Sequence, residues 1–255
     1  MDIILGLGEI GLPWFNLVSK VREVVGVDIL AEKCKGEWSG ETVGILHSCI
    51  PYSDNYVDII VKHVLKYNPK MLIIHSTVKP FTTRKIGRDE RLSRELQVLF
   101  SPIRGVHARM EFDLGRYDKF YASYHDDCNL FKRLLSDMDI NGYQAKTPHT
   151  LEFAKILCDT TYLGFLITYA MKTEEIAMKY DIDYNEMWMF ADQIHQYLGN
   201  RPPVGSKGSN KLYVDSEGIG GHCILPNIEL VKEDLNEVYN LIHQINEASI
   251  KRHKK

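Results

Sequence analysis

The chain opens with Asp2-Ile3-Ile4-Leu5-Gly6-Leu7-Gly8-Glu9-Ile10-Gly11, an apolar run followed by glycines spaced Gly6-x-Gly8-x-x-Gly11. The apolar run predicts a buried strand, and residues 10–20 predict a helix. In such a strand–turn–helix unit, the first glycine allows the tight turn, the second lets a pyrophosphate approach the backbone, and the third lets helix and strand pack closely. The phosphate would lie at the helix N-terminus. The candidate dinucleotide-binding residues here are Gly6, Gly8, Glu9, Ile10 and Gly11.

An acidic residue ends the next apolar stretch. Asp28 closes residues 23–28 and stands 22 residues after Gly6. A carboxylate at that point can accept hydrogen bonds from the hydroxyls of an adenosine ribose, and it would repel the 2′-phosphate of NADP. We therefore predict NAD as the cofactor, with Asp28 among its ligands. A merely structural glycine turn is the alternative.

Further apolar runs alternate with helix-like stretches as far as residue 146. Most runs are continuous, as is typical of parallel strands that are covered on both faces. They lie at 3–7, 23–28, 43–48, 71–75, 97–100, 119–123 and 143–146, with helical patterns such as 56–67 and 129–138 between them. The predicted fold class is α/β, with a Rossmann-like, mostly parallel sheet in a domain of residues 1–146.

The character of the sequence changes at Thr147. Thr147 is a good N-cap, Pro148 suits the first helical position, and no proline follows as far as Tyr180. One long helix is predicted here, apolar on more than one side, so we expect a homodimer that packs along it. Residues 147–255 are predicted to form a helical dimerisation and catalytic domain. Its later parts would be a helix at 184–198, a loop at 199–221 and a last helix from about 227.

Composition argues against several classes of partner. The net charge of −3 gives no electrostatic reason to bind nucleic acid or an anionic membrane. The five cysteines are odd in number and lack CxxC spacing, which argues against a disulfide framework or a zinc site. The histidines also lack metal-ligand spacing. We expect a cytoplasmic protein with no metal, no nucleic-acid partner and no membrane partner.

A thiol follows a run of glycines near the C-terminus, in Gly218-Ile219-Gly220-Gly221-His222-Cys223. Glycine has no side chain to obstruct a ligand, so backbone can approach one closely at this point. A thiolate is a strong nucleophile, which makes Cys223 a candidate for covalent catalysis. The alternative is a small buried hydrophobic residue.

Three further segments complete a pattern: His75-Ser76-Thr77-Val78-Lys79-Pro80, Ser101-Pro102-Ile103-Arg104 and Glu152-Phe153-Ala154-Lys155. In this order, with the amino-terminal glycines first and Gly-Gly-His-Cys last, the chain resembles the UDP-glucose/GDP-mannose dehydrogenase family. The strongest local similarity is to the UDP-N-acetylmannosamine dehydrogenase branch. The resemblance covers roughly residues 1–230, in scattered motifs.

The resemblance implies an NAD-dependent enzyme of polysaccharide biosynthesis that oxidises a primary alcohol of a sugar or nucleotide sugar to the carboxylate. Two hydride transfers would proceed through a thiohemiacetal and a thioester on Cys223. Lys155 would stabilise developing oxyanions. Thr77 would order water or substrate and, with Ser76, contact the cofactor. The substrate-binding residues would be Arg104, Lys155, Gly220, Gly221 and His222.

The chain departs from the family pattern in four respects. Ile103 stands where the family has a glutamate for acid–base work, Asp159 where it has Asn, and Asn227 where it has Asp. Only 32 residues follow Cys223, where the family has a second Rossmann-like domain for the nucleotide. We hypothesise that Asp159, four residues after Lys155, takes over as general base.

Glu152 shares a helix face with Lys155 and Asp159, and a solvated surface pair between Glu152 and Lys155 is the alternative interpretation. Two other functions stay open for the whole chain. A two-electron dehydrogenase of the 6-phosphogluconate/3-hydroxyacid type has the same plan and needs no cysteine. A catalytically degenerate NAD-binding dimer would explain the missing glutamate, although keeping the glycines, Thr77, Lys155 and Cys223 argues against it.

Overall fold

The computed structural model describes residues 1–105, 107–125, 128–161, 173–174, 176–190, 233 and 236–253. Its internal contacts divide the chain into two units, Met1–Leu163 and Gly164–Lys255. The first turns of the predicted long helix therefore belong to the first unit. The predicted domain boundary at residue 147 stays a prediction.

The first unit is built on a seven-stranded sheet, which confirms the predicted α/β, Rossmann-like fold. The strand order is β2-β1-β3-β4-β5-β6-β7, and every neighbouring pair is parallel except β5 and β6. The strands are Asp2–Leu5 (β1), Val24–Val27 (β2), Ile45–Ser48 (β3), Met71–Ile74 (β4), Gln97–Phe100 (β5), Lys119–Ser123 (β6) and Gly142–Gln144 (β7).

Helices connect these strands and cover both faces of the sheet. In the first unit they are Gly11–Val18 (α1), Tyr56–Tyr67 (α2), Thr82–Gly87 (α3), Met110–Arg116 (α4), Asn129–Asp137 (α5) and Pro148–Ala154 (α6). Short 3-10 turns lie at Ala31–Lys33 and His107–Arg109, and a π-helix at Lys155–Thr161 follows α6 directly. Among the described residues of the second unit, 173–174, 176–179, 184–190 and Asn236–His253 (α7) are helical.

The core consists of two apolar layers, one on each face of the sheet. Along β1, Ile3 and Leu5 belong to the layer under α2, α3 and α6, and Ile4 belongs to the layer under α1, α4 and α5. All four residues of β1, β3 and β4 are buried. This burial on both faces explains why the strands read as continuous apolar runs.

The strand order places a crevice beside the glycine motif. β1 lies between β2 and β3, so the chain continues from β2 to the opposite side of β1. In open α/β sheets, ligands bind outside the carboxyl ends of the strands where the order reverses in this way. Gly6 directly follows the carboxyl end of β1 and therefore lies at this switch point.

The long helix begins as the sequence predicts. Thr147 Oγ1 accepts a hydrogen bond from Thr150 N–H, and Pro148 takes the first helical position. The helix then widens at Lys155 into the π-helix. Residues 162–172, most of 191–235 and with them the predicted loop at 199–221 lie outside the described residues. Within the described ranges, no helix combines the length and apolarity needed to cross a bilayer.

Candidate functional site

The amino-terminal glycine loop has the shape of a phosphate cradle. Gly6 has a φ of +83°, and its N–H donates to Val27 O at 2.8 Å. A Cβ on Gly11 would lie 1.7 Å from Gly6 O, so no side chain fits between helix and turn. A Cβ on exposed Gly8 would meet no described atom within 4 Å. The loop is therefore closed at Gly6 and Gly11 and open over Gly8, where a pyrophosphate could approach the backbone.

The start of α1 supports an anion at the same place. Ile10 is the N-cap residue and contributes no capping side chain, and the first turn contains no acidic residue. Leu12 N–H bonds back to Gly8 O at 3.0 Å, which ties the helix to the loop. The positive end of the helix dipole thus faces the open side of the loop without a competing carboxylate from α1.

Asp28 is fixed beside this loop by backbone hydrogen bonds. Its carboxylate accepts from Leu30 N–H at 3.0 Å and from Leu7 N–H at 2.7 Å. The bond from Leu30, followed by that from Leu7, holds the pKa of Asp28 below its usual value despite an opposing effect of burial. An ionised acceptor therefore stands at the end of β2, as an adenosine ribose would require. These residues fit a dinucleotide.

Ser76 and Thr77 follow β4 at the same edge of the sheet. Ser76 is buried, and its Oγ has no hydrogen-bond partner among the described residues. A buried hydroxyl without a partner costs about 1–3 kcal/mol, so this position favours a ligand or water that satisfies it. Thr77 is exposed. Both residues are available at the edge where the glycine loop lies.

Three of the predicted site residues meet in one cleft beside α6. We call this 500 Å³ space the α6 cleft; Pro102, Arg104, Phe120, Lys155, Cys158 and Asp159 are among the residues that line it. Lys155 Nζ donates to Asp159 Oδ2 at 2.6 Å, and the Lys155 side chain is only 13% exposed. A somewhat larger cavity of about 570 Å³, at the amino ends of β4 and β5, contains none of the predicted site residues.

Arg104 adds a second cation to the wall of the α6 cleft. Its Nη2 donates to Asp118 O at 2.7 Å, and its guanidinium lies 4.9 Å from the centre of the Phe120 ring. Ile103, in the position of the family glutamate, is instead buried in the apolar layer that contains Trp14. Position 103 thus gives the cleft no carboxylate, and among the described residues that line the cleft Asp159 carries one.

Glu152 does not form a solvated pair with Lys155, so that alternative is wrong. The Glu152 side chain is fully buried, and its carboxylate accepts hydrogen bonds from Phe81 N–H, from Thr83 N–H at 2.9 Å and from Thr83 Oγ1–H at 2.6 Å. It therefore caps α3 and joins the loop after Thr77 to the helix that presents Lys155. Phe81, at a φ of +71°, is held in a left-handed conformation at this junction.

A buried polar chain on the other face of the sheet was missed by the sequence analysis. It consists of Trp14, His47, His75 and Lys119, which are all at most 4% exposed. The available signal was a polar residue inside an otherwise apolar strand, as with His47 in Ile45–Ser48 and Lys119 at the start of β6.

The remaining predicted site residues cannot be placed. Cys223, Gly220, Gly221 and His222 lie outside the described residues, so their roles stay predictions. Within the ranges that the structure describes, no group of three or more His, Cys, Asp or Glu side chains could hold a metal ion.

This chain matches known proteins by structure but not by sequence. No protein-family profile matches the sequence, and no curated protein matches it. Solved structures do match. GDP-mannose dehydrogenase from Pseudomonas aeruginosa is similar at a TM-score of 0.72 and 16% identity, over 98% of this chain and 69% of that one.

Two further structures show the same fold. UDP-D-ManNAc dehydrogenase from Pyrococcus horikoshii matches at a TM-score of 0.65 and 19% identity, over 98% of this chain and 69% of that one. A reductive aminase from Aspergillus terreus, solved with NADPH and ethyl levulinate, matches at 0.63 and 12% identity, over 98% of this chain and 93% of that one. At these identities the similarity shows a fold that dehydrogenases and reductases share.

Proposed function

We propose that the protein is an NAD-dependent dehydrogenase that oxidises a primary alcohol of a nucleotide-linked sugar to the carboxylate. The observation that supports this most strongly is the α6 cleft, in which Lys155, Asp159 and Arg104 meet beside the carboxyl end of β5. The glycine loop and Asp28 lie at the same edge of the sheet and supply the fit for the dinucleotide. The protein would be cytoplasmic and would act as a homodimer.

The chemistry follows from the residue types. The nicotinamide, when bound, accepts a hydride from the alcohol carbon. The Lys155 ammonium stabilises the alkoxide that forms as the hydroxyl loses its proton, and Asp159 is the carboxylate within reach to accept that proton. Arg104 binds an anionic part of the substrate, for which a diphosphate is a suitable group.

Cys223 would supply the second half of the reaction. Its thiolate would add to the aldehyde to form a thiohemiacetal, and loss of a second hydride from that adduct would leave a thioester on the sulfur. A second NAD, when bound, would be the hydride acceptor. Water then hydrolyses the thioester, which releases the carboxylate and regenerates the thiol. With Ile103 buried in the core, Asp159 would also activate this water.

A second candidate is a two-electron dehydrogenase that needs no cysteine. One observation favours it. Position 103 supplies no acid to the α6 cleft, so thioester hydrolysis would depend on Asp159.

NADH formation from a panel of UDP-sugars, GDP-sugars and free sugar phosphates distinguishes these functions. Two NADH per substrate, falling to at most one in Cys223→Ser, is expected for the proposed enzyme. Cys34→Ser is the matched control: its exposed thiol lies 3.3 Å from Asp28 N, so the variant can alter NAD affinity, but it should still give two NADH per substrate. One NADH regardless of Cys223 would favour the two-electron enzyme, and tight NAD binding without any turnover would favour a degenerate binding protein.

Asp159→Asn tests the assignment of the base. We expect turnover to fall by at least about 100-fold, because a positioned general base contributes roughly that much or more. Asp58→Asn is the matched control, since it removes an exposed carboxylate that pairs with Arg91 at the protein surface. An Asp159→Asn enzyme with near-normal turnover would rule Asp159 out as the base.

A further inference from the structure

The buried polar chain links three strands under the carboxyl edge of the sheet. Trp14 Nε1–H donates to His47 Nδ1 at 3.1 Å, and the same nitrogen lies 2.9 Å from His75 Nε2. On the far side of its ring, His75 Nδ1 lies 2.8 Å from Ser101 O. The chain therefore runs from α1 through β3 and the end of β4 to the residue that follows β5.

The hydrogen bonds determine where protons can be. An indole N–H can only donate, so His47 Nδ1 carries a lone pair. His75 Nε2 faces that lone pair and must carry a proton. A neutral His75 ring has then used its one N–H, and its Nδ1 is an acceptor that faces the carbonyl of Ser101, a second acceptor. Either the ring is doubly protonated, or a donor from elsewhere bridges these two atoms.

Lys119 is in position to be that donor. Its Nζ lies 2.7 Å from Ser101 O, 3.0 Å from Pro102 O and 3.5 Å from His75 Nδ1. These are three acceptors for the three protons of an ammonium group. With a charged Lys119 and a neutral His75, each of these three acceptors therefore receives a hydrogen bond.

Burial resists every positive charge on this pair, and a second charge most of all. Burial, together with the charges of Arg104 and Lys155, lowers the pKa of Lys119 well below its usual value. Burial, with the charge of Lys119 added, lowers the pKa of His75 well below its usual value. The three acceptors around Lys119 Nζ offset the cost of its charge, whereas a second proton on His75 Nδ1 would face that charge at 3.5 Å. Beyond His47 lies the carboxylate of Asp2, whose Oδ2 is 4.0 Å from His47 Nε2 and 3.6 Å from Arg22 Nη1.

The thiol of Cys49 also acts on Lys119, and it does not neutralise the ammonium. Burial raises the pKa of Cys49 to about 12, so the thiol stays protonated at neutral pH. The positive charge beside Ser101 is therefore balanced by carbonyl dipoles and not by a neighbouring thiolate.

We propose that His75 and Lys119 carry one positive charge between them, that the proton responsible for it resides on Lys119, and that Lys119 is a positioning residue for the α6 cleft. Its ammonium ties β6 to the carbonyls of Ser101 and Pro102. Pro102 lines the cleft, and the next-but-one residue is Arg104. Ile103 N–H also bonds to His75 O at 3.1 Å, so the whole segment depends on this junction.

Imidazole nitrogen NMR tests the shared proton without reference to any activity. Long-range ¹H–¹⁵N spectra of the histidine-labelled protein, with His75 assigned from His75→Gln, report which ring nitrogen carries a proton. In the wild type at neutral pH we expect His75 Nδ1 to be unprotonated. In Lys119→Met we expect Nδ1 to gain a proton, because two acceptors would otherwise face each other. Lys132→Met, which removes an exposed lysine of α5, should leave His75 unchanged.

A wild-type His75 already protonated at Nδ1 would overturn the proposal, and this result needs no variant that might fail to fold. An unchanged Nδ1 in folded Lys119→Met would overturn it as well. The positioning role rests on the proposed function and has its own readout. There we expect Lys119→Met to raise the substrate KM at least ten-fold, with kcat within about three-fold and the Kd for NAD unchanged. An unchanged KM would overturn the positioning role. A wild type without turnover would instead count against the proposed function, and the NMR result would stand.

Discussion

The glycine loop and the α6 cleft are two sites at one edge of a sheet, but they are built in different ways. The loop is six consecutive residues, Gly6 to Gly11, and its shape comes from the φ of +83° at Gly6 and from backbone that leaves no room for a Cβ at Gly11. The α6 cleft is assembled from the end of β5, the sheet edge at β6 and β7, and α6 with its π-helix. The first site is specified by local sequence, whereas the second depends on contacts between distant segments.

The largest expected effect compares two glycines of the loop. Gly11→Ala should destabilise the protein by at least about 4 kcal/mol, because its Cβ would overlap Gly6 O at 1.7 Å and the α1–β1 packing must open. Gly8→Ala should change the free energy of unfolding by less than about 1 kcal/mol, since its Cβ meets no described atom within 4 Å. Urea denaturation of both variants measures the difference.

Gly8→Ala should nevertheless weaken NAD binding, because the new methyl group occupies the side that a pyrophosphate would approach. If the two variants lost equal stability, the loop would not be closed at Gly11 and open at Gly8 as described. Retained NAD affinity in Gly8→Ala would place the pyrophosphate elsewhere.

The second expected effect concerns the support of the α6 cleft. Glu152→Gln should lower the free energy of unfolding by about 3 kcal/mol. The carboxylate presents two acceptor oxygens to three buried donors, whereas the amide has only one acceptor oxygen. The measurement is again urea denaturation. Glu90→Gln, at an exposed position, is the matched control and should have an effect within about 0.5 kcal/mol. A Glu152→Gln protein as stable as the control would show that Glu152 does not hold α3 to α6.

The fold could be predicted from the sequence because its signals are local. Continuous apolar runs mark strands that are buried on both faces, and the structure has all seven strands within a few residues of the predicted bounds. Thr147 and Pro148 mark the start of α6 for the same reason, since a cap and a first turn involve neighbouring residues. The change to a π-helix at Lys155 has no comparable signal in the sequence.

The candidate site could be predicted only in part. The ion pair of Lys155 with Asp159 was accessible because helix periodicity places residues i and i+4 together. The partner of Glu152 could not be predicted from the sequence. Thr83 is 69 residues away, and only the packing of α3 on α6 brings the two together. Lys119 was missed for the same reason, as its acceptors belong to the end of another strand.

The smallest expected effect tests the electrostatic part of the glycine-loop site. Asp28→Asn should shift the ratio of NADH to NADPH affinity by about ten-fold towards NADPH, which corresponds to about 1.4 kcal/mol. The physical reason is that the variant keeps the size of the side chain and loses the charge that would repel a 2′-phosphate. Fluorescence titration of both reduced cofactors measures the two dissociation constants. Glu23→Gln also removes one negative charge, from an exposed residue just before the amino end of β2. It should leave the affinity ratio unchanged. If Asp28→Asn and Glu23→Gln gave the same ratio, the acid at the end of β2 would not select the cofactor. The glycine loop would then contribute backbone shape alone. The selectivity between NADH and NADPH would depend on segments distant in sequence, just as the α6 cleft is assembled from distant segments.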